Sequence, residues 1–240
     1  MKKLFLFLTF AVITAFSLFS LTSCGSDDDD EVNPITGNRM DNGYEYVDLG
    51  LPSGTKWATC NVGASKPEEY GGYYAWGEIA AKTDYSWSTY KYGNAYDKLT
   101  KYCTKSKYGL NGFTDGKTEL ELDDDVAHKL WGGHWRMPSK EQFEELLSNT
   151  TSQWVTVNGK KGRLFTASNG NSIFLPAAGG RYDTSLHDAG SYGYYWSRTL
   201  YADYPDDAYY LYFYSGGVGV YYGSTYYYRY YGHTVRPVRP

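Results

Sequence analysis

The chain has 240 residues, 42% hydrophobic and 21% charged, with 23 basic against 27 acidic side chains for a formal net charge of -4. This composition excludes intrinsic disorder and coiled coil, and the lack of a basic excess argues against a nucleic-acid partner. The outlying feature is an aromatic content of 19%, from 28 Tyr, 10 Phe and 7 Trp, beside 27 Gly.

In chain order, the first segment stands apart from the fold. Lys2 and Lys3 precede an uncharged apolar run, Leu4 to Leu21, which ends in Leu21-Thr22-Ser23-Cys24. A basic start, an apolar run and a small-residue end are the parts of a secretion signal. A single membrane-spanning anchor is the alternative, because about 18 apolar residues approach the spanning minimum. The segment resembles a bacterial lipobox. That resemblance implies that residues 1–23 are a lipoprotein signal peptide and that Cys24 becomes the acylated first residue. Residues 24–40 then form a tether with the acidic run Asp27 to Glu31, a self-repelling stretch with nothing to pack into a core. An acidic run behind a lipidated Cys is similar to the export signal of surface lipoproteins in gut-type Gram-negative bacteria. It implies an outer-membrane, lipid-anchored protein facing the cell exterior.

Residues 41–240 read as one domain of fold class α+β. Tyr44 to Leu49 (YEYVDL) and Lys56 to Asn61 (KWATCN) are predicted strands, joined through the turn residues Leu51-Pro52-Ser53-Gly54. A helix is predicted where Asp123 to Asp125 precede Val126, Ala127, Leu130 and Trp131 and Gly132-Gly133 supply the stop. A second begins at the capping box Ser139-Lys140-Glu141-Gln142, places Phe143, Leu146 and Leu147 on one face, and ends near Asn149. Beyond it the chain is strand-like to its end.

The tail, about residues 192–234, differs in texture. It holds 16 of the 28 Tyr, and no Lys occurs from Gly162 onward. In Tyr209 to Tyr214 (YYLYFY), Leu211 and Phe213 alternate with Tyr210, Tyr212 and Tyr214, the period of a strand with one buried face. Val218 and Val220 alternate in the same way with Gly217, Gly219 and Tyr221. The outward set is Tyr, Gly and Ser, and the run Tyr221 to Tyr228 has too many bulky rings for one buried side.

Three stretches carry a resemblance: Tyr46 to Glu78 (YVDLGLPSGTKWATCNVGASKPEEYGGYYAWGE), Leu122 to Leu147 with its WGGHWRMPSKEQFEELL core, and the tail GYYWSRT, AYYLYF and VRPVR. Together they resemble the Fibrobacter succinogenes major paralogous domain lipoproteins, themselves similar to the formylglycine-generating-enzyme-like branch of the C-type lectin fold. The resemblance implies a C-type lectin-like domain. Within that group, the Tyr, Gly, Ser and Asp-rich tail before Val235-Arg236-Pro237-Val238-Arg239 resembles the variable region of proteins diversified by a retroelement. It implies that outward positions vary while Leu, Phe and Val are spared.

Tyr combines large contact area with a hydroxyl and few rotatable bonds, and Gly and Ser allow close approach, the palette of antibody paratopes. The contact candidates are Tyr201, Tyr204, Asp206, Tyr212, Tyr214, Gly217, Gly219, Tyr221, Tyr222, Ser224, Tyr226, Tyr228 and His233. A ligand-binding receptor or adhesin follows, with a protein or glycan of another cell surface as partner. The alternatives are a non-diversified carbohydrate-binding or adhesion module, and a Tyr-rich face that serves packing alone.

No enzyme and no cofactor are expected. Formylglycine-generating enzymes need a reactive Cys pair late in the domain, and the last Cys here is Cys103. Their sulfoxide-synthase relatives bind iron through closely spaced His, whereas His128, His134, His187 and His233 lack metal-ligand spacing. The calcium segments of sugar-binding C-type lectins do not occur. Trp57, Trp76, Trp131, Trp135, Trp154 and Trp196 read as scaffold, and Arg136, Arg236 and Arg239 as loop pins. An oxidising compartment allows a disulfide between Cys60 and Cys103, which sequence spacing leaves open.

Overall fold

The computed structural model describes residues 39–222 and 228–240. The signal peptide, Cys24, the acidic run, Ser224 and Tyr226 lie outside the described residues. Three short strands lead: β1 (Arg39–Asp41), β2 (Tyr44–Val47) and β3 (Lys56–Ala58). After a stretch of turns come α1 (Val126–Trp131), α2 (Lys140–Asn149) and the paired strands β4 (Thr150–Val157), β5 (Lys160–Ala167) and β6 (Ser172–Pro176). A small hairpin of β7 (Gly180–Tyr182) and β8 (Ser185–His187) precedes β9 (Gly193–Leu200), β10 (Ala208–Tyr214), β11 (Gly217–Tyr221) and a final β12 (Val238–Arg239). All named pairings are antiparallel, in sheets ordered β1-β2-β3-β12, β11-β10-β9, β4-β5-β6 and β7-β8.

The architecture corrects the expected α+β, C-type lectin-like class. Among the described residues strand makes up 37%, in small separate antiparallel sheets, and helix 14%, shared between two α-helices and four single-turn 3-10 helices. Both helix signals are real but short, six and ten residues. Everywhere else Gly and Tyr favour turns and extended backbone, so helices never form a layer of their own.

Where they form, the helices obey their caps. The Asp125 side chain accepts from the His128 N–H at 3.1 Å, and Gly132, at φ 68°, ends α1. Ser139 Oγ accepts from the Gln142 N–H at 3.2 Å while Gln142 Oε1 accepts from the Ser139 N–H at 2.9 Å, a reciprocal box that starts α2. The three aspartates at α1 divide the work. Asp123 is exposed and pairs with Lys129 at 3.0 Å. Burial alone would raise the Asp124 carboxyl, but hydrogen bonds from Lys101, Tyr102 and Tyr92 outweigh it and hold it at about 2. Asp125 also takes Arg136 Nε at 2.8 Å and the Met137 N–H at 2.9 Å, tying α1 to the chain that leads into α2.

Two apolar cores lie on opposite sides of the β9–β10–β11 sheet. Tyr194, Trp196 and Tyr210 join Trp76, Trp131 and Trp135 in one; Tyr195, Leu211 and Phe213 join Trp57, Phe143 and Leu146 in the other. Trp154 is half-buried and the other five scaffold Trp are buried, as the sequence predicts. The arginine pins also form. Arg236, fully buried, donates to Asn61 Oδ1 at 2.8 Å, Thr59 O at 2.7 Å and Ala58 O at 3.1 Å. Arg239 pairs with Asp41 at 3.3 Å across the sheet that joins the two ends of the domain.

Candidate ligand-binding face

Alternation along β10 sorts its side chains between the two cores. Leu211 and Phe213 are 0% exposed, with Phe213 stacked on Tyr195 at 5.7 Å. On the other side exposure rises along the strand: Tyr210 is buried, Tyr212 half-buried and Tyr214 40% exposed. Tyr210 was expected to face outward, and the structure corrects this. The core containing Trp76 and Trp196 covers the near end of that side and leaves the far end open.

The β10–β11 register places Tyr212 opposite Gly219 and Tyr214 opposite Gly217. These glycines seat the rings. A Cβ at Gly219 would lie 2.8 Å from the Tyr221 ring, which folds across that position and meets Tyr212 edge-on at 5.4 Å. A Cβ at Gly217 would touch the Tyr214 ring at 3.4 Å. Tyr192 stacks on Tyr212 at 5.8 Å and reaches Tyr214 at 5.9 Å, completing an aromatic face on rigid strands. Buried Arg163 on β5 donates to Tyr214 O at 3.0 Å and Ser215 O at 3.3 Å, which fixes the hairpin turn. Val218 and Val220 pack, partly buried, against the core below.

At its inner end the face runs into a cavity of about 360 Å³, lined by Arg181, Tyr182, His187, Asp188, Tyr194, Tyr231, His233 and Gly180. Tyr228 continues the aromatic path: it lies 6.3 Å from Tyr231, whose ring is 5.7 Å from Tyr182. His233 is a wall of this cleft rather than the surface contact expected of it. It is 1% exposed and stacked on Trp196 at 4.1 Å, and burial pushes its imidazole down to about 3, so it is neutral.

Tyr201, Tyr204 and Tyr222 belong to a second patch. Tyr201 lies 4.1 Å from Tyr222 and 5.7 Å from Tyr204, and Tyr209 joins them with the Lys140 ammonium 5.2 Å above its ring. Neighbours on extended backbone point oppositely, so Tyr221 and Tyr222 serve different patches. Asp206 is another correction, being buried beside Asp207 and near the Arg229 guanidinium. Burial and the adjacent Asp206 push Asp207 up to about 8. Arg229, fully buried, donates to Pro205 O and Lys101 O, both at 2.7 Å, and so anchors the backbone on either side of these carboxyls.

The disulfide does not form. Cys60 and Cys103 are free and buried in separate clusters, their thiols donating to Ala64 O at 3.4 Å and Lys105 O at 3.2 Å. Burial pushes both thiols up, away from nucleophilic character. Among the described residues no group of three or more His, Cys, Asp or Glu side chains could hold a metal ion. No helix among them is long and apolar enough to cross a membrane. Sequence reasoning missed Tyr192, Tyr231 and the β7–β8 residues of the cleft. The hairpin RYDTSLH carries no motif, and its only signal is a Tyr, Asp and His mixture like that of the tail.

A family model described as a domain of unknown function, DUF8237, matches residues 160–238, from β5 to β12, a span that holds the face and the cleft. No curated protein and no solved structure matches the chain.

Proposed function

We propose that the chain is a cell-surface ligand-binding lipoprotein, a receptor or adhesin, whose contact surface is the Tyr-rich face on β9, β10 and β11. The observation that carries the proposal is the separation of face from core. Tyr212, Tyr214 and Tyr221 stand over Gly217 and Gly219 on one side of a hairpin whose other side is sealed by Leu211 and Phe213. Outward residues can then change without disturbing the fold, which is what a diversified tail requires. Large rings on fixed strands lose little side-chain freedom on binding, an advantage in affinity. The partner is a protein or glycan on another cell surface, and Cys24 carries the lipid that holds the domain to the outer membrane. The role is binding rather than catalysis.

Three cell-level measurements test this. Cys24→Ala is expected to move the protein from the membrane fraction to the soluble one, and deletion of Asp27 to Glu31 to keep it on the membrane but shielded from external protease. Cells displaying Tyr214→Ser with Tyr221→Ser are expected to lose adhesion at unchanged surface level. Unchanged adhesion in that variant, or an unchanged membrane fraction in Cys24→Ala, contradicts the proposal.

A further inference from the structure

We infer that the cleft at the inner end of the face binds a single acidic sugar, a uronate or sialate at the end of a glycan, with Arg181 as the carboxylate anchor. The assignment rests on the reading of the chain as a surface ligand-binding protein and names a ligand for the cleft that adjoins its Tyr-rich face. Its starting point is how the domain uses its arginines. Arg136, Arg163, Arg198, Arg229 and Arg236 all donate to carboxylates, carbonyls or side-chain amides, and Arg39 and Arg239 sit in ion pairs. Arg181 alone among the described arginines has neither a hydrogen bond nor an ion pair from its side chain. Its guanidinium lies over the Tyr73 ring at 5.3 Å and lines the cleft. A guanidinium held on an aromatic plane keeps its fork of donors for an incoming anion, and that fork matches a carboxylate bidentately.

The remaining wall residues narrow the class. Asp188, which accepts from the Tyr194 hydroxyl at 3.2 Å, is an acceptor that repels a second negative charge and favours ligand hydroxyls. One guanidinium and one carboxylate lining the same cleft therefore suit a monoanion rich in hydroxyls better than a phosphate dianion. His187 adds a buried Nε2 with no partner, on a ring stacked at 3.6 Å on Tyr182, so its position is fixed before any ligand arrives. Tyr182, exposed at the rim, and Tyr231 supply apolar planes for the C–H face of a pyranose. The volume of about 360 Å³ lies near the low end of the roughly 300–1,000 Å³ of small-molecule clefts, room for one sugar rather than a chain.

Titration calorimetry on the lipidated protein in detergent tests the inference, using methyl glucuronide, N-acetylneuraminic acid, methyl glucoside, an acetylated dipeptide with a free C-terminus, and inorganic phosphate. Expected is binding of at least one acidic sugar about tenfold or more tighter than the neutral glucoside. Arg181→Gln should weaken it by a similar factor, with partial recovery in Arg181→Lys. A thermal melt of each variant confirms that it is folded, and Asp188→Asn supplies a second probe, expected to weaken acidic and neutral sugars alike. Equal affinity for acidic and neutral sugars, undiminished binding in folded Arg181→Gln, or tighter binding of the dipeptide or phosphate overturns the inference. If acidic sugars fail while Tyr214→Ser and Tyr221→Ser abolish cell adhesion, the cleft assignment falls and the proposed face stands. If acidic sugars bind through Arg181 while those Tyr variants adhere as before, the cleft stands and the face does not.

Discussion

On one side of the β9–β10–β11 sheet, Tyr195, Leu211 and Phe213 are sealed against Phe143 and Leu146 of α2; on the other, the rings of Tyr192, Tyr212, Tyr214 and Tyr221 pack against one another toward solvent. The two sides share strands, register and even residue type, since Tyr occurs on both. What separates them is cover. The inner side is closed along β10 and half-closed at Val218 and Val220 of β11, whereas the outer side is closed at Tyr194 and Tyr210 and open beyond Tyr212. A tyrosine's role in this domain is thus set by its distance from the Trp76 and Trp196 core, not by its identity.

The largest expected effects lie on the sealed side. Leu211→Ala should cost about 2 to 5 kcal/mol and Phe213→Ala about 3 to 5 kcal/mol in denaturant melts, from lost burial and the cavity left behind. Tyr210→Ala sharpens the comparison. It shares a side with Tyr214 but is buried, so it should cost about 3 kcal/mol, like a core ring. A cost near zero would mean that the whole side is open.

Sequence showed the sides but not the cover. Period-2 alternation identified Leu211 and Phe213 as inward, and the capping residues Asp125 and Ser139 located both helices. The burial of Tyr210, Asp206 and His233 was illegible because it depends on residues distant in sequence: Trp196 stacks on His233, and Arg229 is held by carbonyls at Lys101 and Pro205. The predicted strands at residues 44–49 and 56–61 end at Val47 and Ala58. Beyond Ala58 the chain serves Arg236 instead, through Thr59 O and Asn61 Oδ1. Fold class failed for a related reason. Two well-signalled helices say nothing of the share of the chain that they occupy.

Titration gives an intermediate effect in the segment leading into β10. Asp207 has its folded value raised from 3.8 to about 8 by burial first and the neighbouring Asp206 second. Folding therefore favours its protonated form. Its stabilising contribution is full below the unfolded value near 3.8 and is lost as pH rises through about 8. Melting temperature should carry a component that falls between about pH 4 and pH 8, and Asp207→Asn should flatten it. The same slope in that variant would place the titration elsewhere.

A smaller effect is expected at the glycine seats. Gly219→Ala puts a Cβ 2.8 Å from the Tyr221 ring, which must swing away. Because the obstructed atoms end a mobile side chain, stability should change by about 0.5 kcal/mol or less, with a loss in partner binding.

The proposed division is that the open end of the outer side binds and the sealed side folds. A paired thermal melt and partner-binding titration on Tyr214→Ser, Tyr221→Ser, Leu211→Ala and Phe213→Ala tests it most directly. The two Tyr variants should melt within about 0.5 kcal/mol of the parent, while loss of a hot-spot ring among them costs about 2 kcal/mol or more of binding. The reverse is expected of Leu211→Ala and Phe213→Ala, with stability lost and the binding of the remaining folded fraction retained. Tyr variants that unfold as readily as the Leu and Phe variants, or that bind undiminished, would contradict it.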